Sequence, residues 1–357
     1  MNIEKTRNYL KKYDLGKLFL YILSLFYFLI CELRKFLYFS GFLKSYSLKT
    51  PIICFGNISS GGTGKTSAVI EAARLIRSKG LKAAVITSGY AREKKKKETI
   101  ILKSEEEKDI SLCGDEAMVI KDSLLPLKVP VLINSKKTAA ASDAEKYFSP
   151  DYILMDDGFQ HFALKRTFDF VLINSTENIR EKLLPYGNLR ETYSAIKRAS
   201  AVILTHCELS TEDKISAFEN KIKKSNPSCT ILKSEHVFEK IYRPYDGKTL
   251  GKEEYENTYF SLFSAIGDPE SFERSVSSQK IKIKRAFRYP DHRNFSKNDL
   301  KLLSETCSDT PILTTYKDFV RLPQYWKDEQ KEKLHVFSIR LKFLSDGENS
   351  FFKILGI

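Results

Sequence analysis

Residues 56–66 read GNISSGGTGKT, and this glycine-rich stretch decides the class of fold. It follows residues 51–55 (PIICF), an apolar run typical of a buried strand, and it opens residues 66–79, whose apolar side chains recur with a helical period. In that context glycines let backbone N–H groups approach phosphate oxygens, and the helix N-terminus favours negative charge. The stretch therefore predicts a site for a nucleoside triphosphate.

The residues that hold the nucleotide follow from this loop, and they are Gly61, Gly62, Thr63, Gly64, Lys65 and Thr66. Lys65 reaches the β- and γ-phosphates, and the Thr66 hydroxyl is a ligand for Mg²⁺. The strict pattern G-x-x-x-x-G-K-[ST] has a glycine where this chain has Ser59, and the neighbouring glycine pair supplies the missing flexibility. The loop indicates binding of a triphosphate but not the reaction that follows.

A pair of carboxylates ends a second apolar run, residues 151–157 (DYILMDD). Asp156 and Asp157 occupy the place of the acidic residue that lies near Mg²⁺ in phosphate-loop enzymes, and Asp156 is the expected ligand. Gln160 and His161 follow at the same strand end, where α/β sheets place their ligands. An ordinary Asp-Asp-Gly turn is the alternative interpretation.

Three other residues have two interpretations each. Asp115, in Gly-Asp-Glu before a helix, is either an N-cap or a carboxylate that accepts a hydroxyl proton. Arg190, near a glycine turn, either binds a phosphate or is a solvated surface residue. His292, after Pro290, is structural unless a second lobe brings it to the phosphate site.

Apolar runs and helical periods alternate after residue 50, which predicts an α/β fold with a mainly parallel sheet covered on both faces. From about residue 231 the pattern changes. Residues 231–242 and 335–344 each resemble an extended ribbon, with a shorter α/β unit between them. We predict three parts: an N-terminal membrane-associated segment (1–48), a phosphate-loop domain (49–230), and a two-stranded linker with a smaller α/β lobe (231–357).

The N-terminal residues 18–31 are apolar and uncharged, and lysines precede them. Fourteen helical residues reach about 21 Å, short of a hydrocarbon core of roughly 30 Å, so a helix that enters one leaflet fits better than a full span. A buried core helix is the alternative. The formal charge of +14 suggests an anionic partner, and the six dispersed cysteines suggest free thiols in a reducing compartment.

These motifs, in this order, resemble the tetraacyldisaccharide 4'-kinases of lipopolysaccharide assembly. The resemblance covers most of the chain after residue 50. It depends on the phosphate loop together with the following stretches: SGY at 88–90, GDE at 114–116, MDDGFQH at 155–161, LLPYGNLRE at 183–191, AIGDPESF at 265–272, YPDHRNF at 289–295 and LTTYKD at 313–318.

The resemblance implies a monotopic enzyme on the cytoplasmic face of the bacterial inner membrane, and we expect the protein to be a monomer. It implies transfer of the γ-phosphate of ATP, with Mg²⁺, to the 4'-hydroxyl of an anionic acylated disaccharide, with no nucleic-acid partner. By likeness to the family, Asp115 is the catalytic carboxylate and is paired with His292, and Lys65 and Thr66 bind the phosphates and the metal. Asp156 and Asp157 serve the metal or the substrate. The remaining site residues implied are Gln160, His161 and Arg190.

Three positions depart from the family pattern: Ser88 replaces an arginine, Thr192 a proline and Tyr316 a glutamate. These changes bear on substrate contacts more than on catalysis. The principal alternative function is a membrane-associated switch ATPase, whose loop carries a lysine where this chain has Ser60. A basic nucleic-acid or membrane scaffold is less favoured, because aromatic and basic residues do not alternate as in a stacking surface.

Overall fold

The computed structural model of the chain describes residues 3–89, 98–104, 110–290, 293 and 295–357. Within these ranges, strands alternate with helices after residue 51, as the sequence predicts. The strands are β1 Ile52–Asn57, β2 Ala83–Thr87, β3 Ile100–Leu102, β4 Val131–Ile133, β5 Tyr152–Asp156, β6 Phe168–Asn174, β7 Ala201–Thr205, β8 Thr230–Tyr242, β9 Tyr259–Ser264, β10 Lys282–Arg288, β11 Ile312–Thr315 and β12 Leu334–Phe343.

The described helices are α1 Ile3–Leu10, α2 Asp14–Phe39, α3 Lys65–Ser78, α4 Ile110–Cys113, α5 Asp115–Leu124, α6 Lys137–Phe148, α7 Glu212–Ser225, α8 Lys252–Glu256, α9 Pro269–Ser278, α10 Lys297–Thr306, α11 Tyr316–Arg321, α12 Gln324–Glu329 and α13 Gly347–Leu355. Helices α1 and α2 precede the first strand in the chain, and the other helices follow it. Short 3₁₀ turns cover Leu125–Leu127, Tyr193–Arg198 and Cys207–Leu209.

The described strands form one sheet in the order β10-β9-β11-β12-β8-β7-β6-β1-β5-β2-β4-β3. Neighbouring strands are parallel except at β3/β4 and β12/β8, which are antiparallel. Every residue of β1, β2 and β5 is buried, as expected for parallel strands that have helices on both faces. The predicted α/β fold with a mainly parallel sheet is confirmed.

The position of β1 between β5 and β6 brings the candidate site residues to one edge of the sheet. Phe55 of β1 pairs with Asp156 of β5, so the phosphate loop after β1 and the carboxylates after β5 leave the sheet side by side. The first residues of α3 follow the loop directly, and its Ala68, Val69 and Ala72 are fully buried against the sheet. This arrangement is what the sequence predicts for a phosphate-loop fold.

The two predicted ribbons pair as expected. β8 runs antiparallel to β12, from Val336 opposite Tyr242 to Phe343 opposite Ser234, and it also runs parallel to β7. The sheet therefore continues past residue 230 into the smaller α/β unit. The division of the chain into three parts remains our proposal.

The highly charged stretch 92–108 contains a strand in its described part. β3 lies at the edge of the sheet and pairs antiparallel with β4 through Ile101 and Leu132. An edge strand pairs its backbone on one side only, and edge strands are often very short. The three residues of β3 therefore give only a weak strand pattern in the sequence. The cation run at 94–97 and Tyr90 lie outside the described residues.

The N-terminal helix is longer than the sequence reading allowed. α2 spans 26 residues, about 39 Å, so the argument that excluded a full membrane span on length was wrong. The apolar run alone underestimates the helix, because charged residues such as Asp14, Glu32 and Arg34 also belong to it on either side of the apolar centre. Among the described residues, this one helix is long and apolar enough to cross a membrane, with a mean hydropathy of 1.8 in its most apolar window.

Candidate active site

The phosphate loop owes its shape to two glycines with positive φ. Gly61 has a φ of 148° and Gly64 a φ of 78°, and Gly64 immediately precedes α3. Residues other than glycine rarely adopt these angles, so the backbone favours glycine at both positions. A Cβ at Gly62 would meet no atom within 4 Å, so this side of the loop is open.

Hydrogen bonds fix the loop from behind through Thr63, which is 1% exposed. The Asn57 amide donates to the Thr63 hydroxyl at 3.0 Å, and the Thr205 hydroxyl donates to the Thr63 carbonyl at 3.1 Å. Strands β1 and β7, which lie on either side of β6 in the sheet, therefore both hold the loop through Thr63. A loop fixed in this way can present its amides to a phosphate with little reorganisation.

Ser59, in place of the expected glycine, fits its position. It forms a bridge with Leu189, and its hydroxyl donates to Glu177 at 3.1 Å. The next amide, that of Ser60, donates to the Asn188 carbonyl at 2.7 Å. Ser59 does not have a positive φ, so a glycine is not needed at this point of the loop.

The segment after Leu189 carries Arg190 to the site. Its guanidinium donates to both carboxylate oxygens of Asp157, at 3.2 and 3.3 Å, while the Lys65 ammonium lies 3.7 Å from the same carboxylate. Burial raises the pKa of Asp157, but Lys65 and Arg190 outweigh burial and hold that pKa below its ordinary value. Lys65, Asp157 and Arg190 are thus brought together, as the sequence analysis predicted for one site.

Asp156 is more deeply buried, with 3% of its surface exposed. One carboxylate oxygen, Oδ2, accepts a long hydrogen bond of 3.4 Å from the Thr87 hydroxyl. The other, Oδ1, has no hydrogen-bond partner within the described part of the chain. Burial raises the pKa of Asp156, and nearby Lys137 partly opposes the rise. A buried carboxylate oxygen without a partner is suited to a cation.

Lys137 is a site residue that the sequence analysis missed. It begins α6 at the carboxyl end of β4, is 5% exposed, and donates to the backbone carbonyls of Asp156 and Asp157. Burial lowers its pKa, although Asp156 and Asp157 act in the opposite direction. The available signal was the Lys-Lys pair directly after a strand that ends at the same edge of the sheet.

Asp115 is held from two sides and is not the N-cap of α5. Gly114, with a φ of 83°, occupies the cap position, so the capping alternative was wrong. The Asp115 Oδ1 atom accepts from the Glu116 amide at 2.9 Å, and its Oδ2 atom accepts from the Arg321 Nε at 2.7 Å. The Arg321 Nη2 donates to the same Oδ2 atom.

Glu116, the neighbour of Asp115, is a second missed residue. Burial raises its pKa to about 7, and the negative charges of Asp156 and Asp115 add to that rise, whereas Lys317 and Lys65 oppose it. A carboxyl group with a pKa near 7 changes its charge in the physiological range. Perturbed carboxyl groups of this kind occur frequently at functional sites.

Gln160 and His161 follow the carboxylate pair, and they differ in that the Gln160 amide is hydrogen-bonded whereas, in the described part of the chain, the His161 Nε2 atom is not. The Gln160 amide donates to the Asn57 carbonyl and to the Glu191 carboxylate, each at 2.9 Å, and Arg198 holds the same carboxylate at 2.6 Å. The His161 Nε2 atom is buried and has no hydrogen-bond partner among the described residues. Burial lowers the pKa of His161 to about 4, and the positive charge of Lys137 adds to the effect.

His292 and Asp291 lie outside the described residues, so the pairing of His292 with Asp115 remains a prediction. The small lobe nevertheless reaches the site through α11. Arg321 binds Asp115, and the Tyr316 hydroxyl donates to Asp122, which lies on the same helix as Asp115. Burial and Asp122 raise the pKa of Tyr316 far above its ordinary value.

Comparisons with known proteins agree with this geometry. The family described as Tetraacyldisaccharide-1-P 4'-kinase matches residues 16–355. A tetraacyldisaccharide 4'-kinase of Elusimicrobium minutum is 38% identical over 99% of this chain and 94% of its own length. The corresponding protein of Aquifex aeolicus is 32% identical over 91% of this chain and 94% of its own.

A solved structure has the same architecture. The crystal structure of LpxK from Aquifex aeolicus in complex with ATP superimposes with a TM-score of 0.75 and 26% identity, over 95% of this chain and 98% of that one. The resemblance inferred from the motifs is thereby confirmed over nearly the whole chain. The chain belongs to the tetraacyldisaccharide-1-P 4'-kinase family and is a phosphotransferase.

Proposed function

We propose that this chain transfers the γ-phosphate of ATP to the 4'-hydroxyl of a tetraacylated disaccharide 1-phosphate, a step of lipid A biosynthesis. The observation that carries the proposal is the convergence of Lys65 and Arg190 on Asp157 beside a phosphate loop with an open side. Two cations at this position match a triphosphate tail and a developing negative charge. The names of the relatives supply the acceptor.

On ATP binding, the Lys65 ammonium would turn from Asp157 toward the phosphates. In the described structure its ammonium lies 3.7 Å from Asp157, and that separation exceeds hydrogen-bonding distance. The ammonium is therefore free to turn toward the β- and γ-phosphates, while the amides of residues 61–66 bind the phosphate oxygens. Arg190 remains beside Asp157, where its guanidinium also faces the negative charge of the phosphates.

The donor set suits a magnesium ion. The Thr66 hydroxyl stands at the start of α3, and the partnerless Asp156 Oδ1 atom offers a buried anionic oxygen at the end of β5. Oxygen ligands of this kind, completed by phosphate and water, are those that Mg²⁺ prefers. When bound, Mg²⁺ would neutralise charge across the β- and γ-phosphates. Lys137, through its bonds to the carbonyls of residues 156 and 157, holds this strand end in place.

The acceptor hydroxyl has to lose a proton as it attacks. Its oxygen forms a bond to the γ-phosphorus, the bond from that phosphorus to the bridging oxygen breaks, and ADP leaves with the electron pair. We assign Asp115, paired with His292, as the group that receives the proton, by likeness to the family. Arg321 fixes the Asp115 carboxylate so that it keeps one orientation, and closure of the small lobe excludes water.

The N-terminal helices fit a protein that lies on the cytoplasmic face of the inner membrane. α2 is attached along its length: Ser24 donates to the Leu183 carbonyl at 3.1 Å, and Tyr38 and Phe39 pack on Phe162. A helix fixed lengthwise to the catalytic core suits an in-plane position better than a span across the bilayer. Its outward residues are apolar, and the largest exposures belong to Leu15, Phe26, Leu29, Ile30, Leu33, Phe36 and Phe39.

The attachment of α2 to segment 183–188 also connects the proposed membrane-facing helix to the active site. The segment 183–188 bonded to α2 continues directly into Leu189 and Arg190, which contact the phosphate loop and Asp157. The acyl chains of the acceptor therefore have a route along α2, with the sugar hydroxyl near Arg190. The anionic 1-phosphate of the acceptor complements the net positive charge of the chain. We retain the monomer as a prediction.

A switch ATPase is the alternative, and its lysine signature is absent because Ser60 occupies that position. The two functions differ in product. Purified protein with ATP, Mg²⁺ and the acylated disaccharide 1-phosphate should yield a bis-phosphorylated lipid with one ADP for each product. Release of inorganic phosphate at the same rate with and without the acceptor would instead support the ATPase.

A further inference from the structure

Three potential metal ligands meet beside the phosphate loop, where the end of β7 lies next to the middle of β8. His206 follows β7, Glu208 lies in the 3₁₀ turn after it, and His236 stands on β8. Their ligand atoms all lie within 4.8 Å of one another, and the two imidazole rings are 4.5 Å apart between centroids. Neither the proposed phosphate site nor the proposed magnesium site uses any of these residues.

The spacing suits a first-row transition metal. The Glu208 Oε1 atom lies 3.8 Å from the Nδ1 atom of each histidine, too far for hydrogen bonds. Two ligands held tetrahedrally at zinc distances are about 3.4 Å apart, so each Glu208–histidine pair has to close by a few tenths of an ångström. Two imidazoles and one carboxylate are a typical ligand set for Zn²⁺, whereas Mg²⁺ prefers oxygen alone.

The burial of His236 is a second observation that points to a ligand. Only 10% of its side chain is exposed, yet its Nδ1 atom is buried without a hydrogen-bond partner in the described part of the chain. Leaving a buried polar atom unpaired is costly, and that atom faces Glu208. His206 also holds an unusual backbone, with a φ of 58° that residues other than glycine seldom adopt.

The neighbouring thiol does not belong to this group of ligands. Cys207 lies between His206 and Glu208 in the chain, but its thiol is buried and donates to the Leu204 carbonyl at 3.4 Å. The ligand set is therefore nitrogen and oxygen without sulfur.

We propose that His206, Glu208 and His236 form a binding site for a divalent transition-metal ion of the zinc class. Its place in the fold gives it a structural role. A Cβ built on Gly64 would lie 3.5 Å from the His236 ring, and Thr205, the residue before His206, holds the carbonyl of Thr63. An ion that joins β7 to β8 at this point stabilises the strands that support the phosphate loop.

Cobalt is the most informative probe because its visible absorption reports the ligands. The full-length protein, freed of metal by chelation and kept without nucleotide or Mg²⁺, is titrated with Co²⁺ alone. We expect one equivalent to produce d–d bands between about 500 and 700 nm, displaced by Zn²⁺, with no sulfur charge-transfer band in the near ultraviolet. The bands should disappear in His206→Ala, His236→Ala and Glu208→Gln.

Two controls separate this site from others. Glu212→Gln, an exposed glutamate at the start of α7, should keep the bands, and so should Thr66→Ala, which removes a proposed magnesium ligand. The Glu208→Gln side chain keeps the size of the original, so it also serves if a histidine variant folds poorly. For the wild type, Zn²⁺ should raise the melting temperature, and for Glu208→Gln it should not.

Several outcomes would overturn the proposal. Absence of the bands, their persistence in both histidine variants, or a strong sulfur band would each exclude this ligand set. The ATP KM gives a further test: if His206→Ala and His236→Ala raise it equally with and without Zn²⁺, and no cobalt binds, the cluster contacts the nucleotide and holds no metal. The cobalt spectra and the melting temperatures do not depend on phosphoryl transfer, so these two readouts test the metal site independently of the proposed function.

Discussion

The Arg321 guanidinium of the small lobe donates from both Nε and Nη2 to one carboxylate oxygen of Asp115, on the helix beside the phosphate loop. Both side chains are more than nine-tenths buried. Arg321 also donates to the Ala265 carbonyl at 3.2 Å, so a single side chain connects two parts of the small lobe to the proposed catalytic carboxylate. The orientation of Asp115 thus depends on the docking of α11.

Arg321→Ala should lower kcat strongly and leave the KM for ATP nearly unchanged. Breaking a buried ion pair by removing one partner costs about 3–5 kcal/mol, because the remaining charge is left buried. Asp115 then loses its orientation, while the phosphate loop keeps its own hydrogen bonds. Arg321→Lys should restore part of kcat, since lysine supplies the charge without the paired donors.

Steady-state kinetics with varied ATP separate the two effects. The matched control is Arg288→Ala, which removes an exposed arginine that binds Glu270 and Glu273 on the small lobe. Surface ion pairs contribute about 0–1 kcal/mol, so this variant should behave like the wild type. An Arg321→Ala enzyme with normal kcat would refute the positioning role of Arg321.

Lys65→Ala should lose nearly all turnover. The ammonium of Lys65 faces the carboxylate end of the site, and loss of one charged stabiliser of a transition state costs about 100- to 1,000-fold in kcat. The control is Lys82→Ala, an exposed lysine outside the loop. The measurement is kcat at saturating ATP and acceptor, and wild-type turnover by Lys65→Ala would contradict the loop assignment.

Glu116 should make the free energy of unfolding decrease as the pH rises from about 4.5 to 7. Its pKa is raised from 4.5 to about 7 in the folded chain, so between these values the folded state binds more protons than the unfolded one. Stability contributed by the protonated carboxyl is therefore fully present below about pH 4.5 and is lost as the pH rises through 7, by up to about 3 kcal/mol.

Glu116→Gln should remove this part of the pH dependence. Urea denaturation of both proteins at several values from pH 5 to pH 8 gives the difference in unfolding free energy at each pH. That difference should shift in favour of the glutamine variant as the pH rises, because glutamine stays neutral. Parallel curves for the two proteins would mean that the pKa of Glu116 is not raised.

The sequence predicted most of this architecture because its signals are local. A glycine loop between strand and helix, an acidic pair at a strand end and alternating apolar runs each depend on neighbouring residues alone. The strand predicted at 51–55 and the ribbons predicted at 231–242 and 335–344 appear within two residues of their expected ends. Lys65, Asp156, Asp157 and Arg190, which the structure brings to one edge of the sheet, were predicted as site residues in this way.

The missed features depend on contacts between distant segments. Lys137 belongs to the site only because β4 ends beside β5, and the pKa of Glu116 is raised by burial that no local pattern reveals. Arg321 lies 206 positions from Asp115 in the chain. The true length of α2 was missed because charged residues within a helix look like ends when solvent exposure is unknown.

Tyr316→Phe should destabilise the docking of the small lobe. The Tyr316 hydroxyl donates to Asp122 of α5, and a hydrogen bond to a charged group contributes about 1.5–3 kcal/mol. Where the family pattern has glutamate, this tyrosine therefore has a packing role between lobes. The midpoint of urea denaturation should fall, whereas Tyr147→Phe, which removes an exposed hydroxyl, should leave it unchanged. Equal midpoints for the two variants would exclude that role.

Leu33→Ser should weaken binding to membranes without changing the fold. Leu33 is 58% exposed on α2, and transferring such a side chain from water to lipid is worth about 1.5–3 kcal/mol, or roughly 10- to 100-fold in partition. The matched control is Leu302→Ser on α10, where a leucine is 55% exposed on the small lobe. Sedimentation with vesicles that contain anionic phospholipid measures the bound fraction of each protein. Because α2 lies along the core with its apolar residues outward, only the Leu33 variant should lose binding, and equal loss in both variants would show that the helix does not determine membrane attachment.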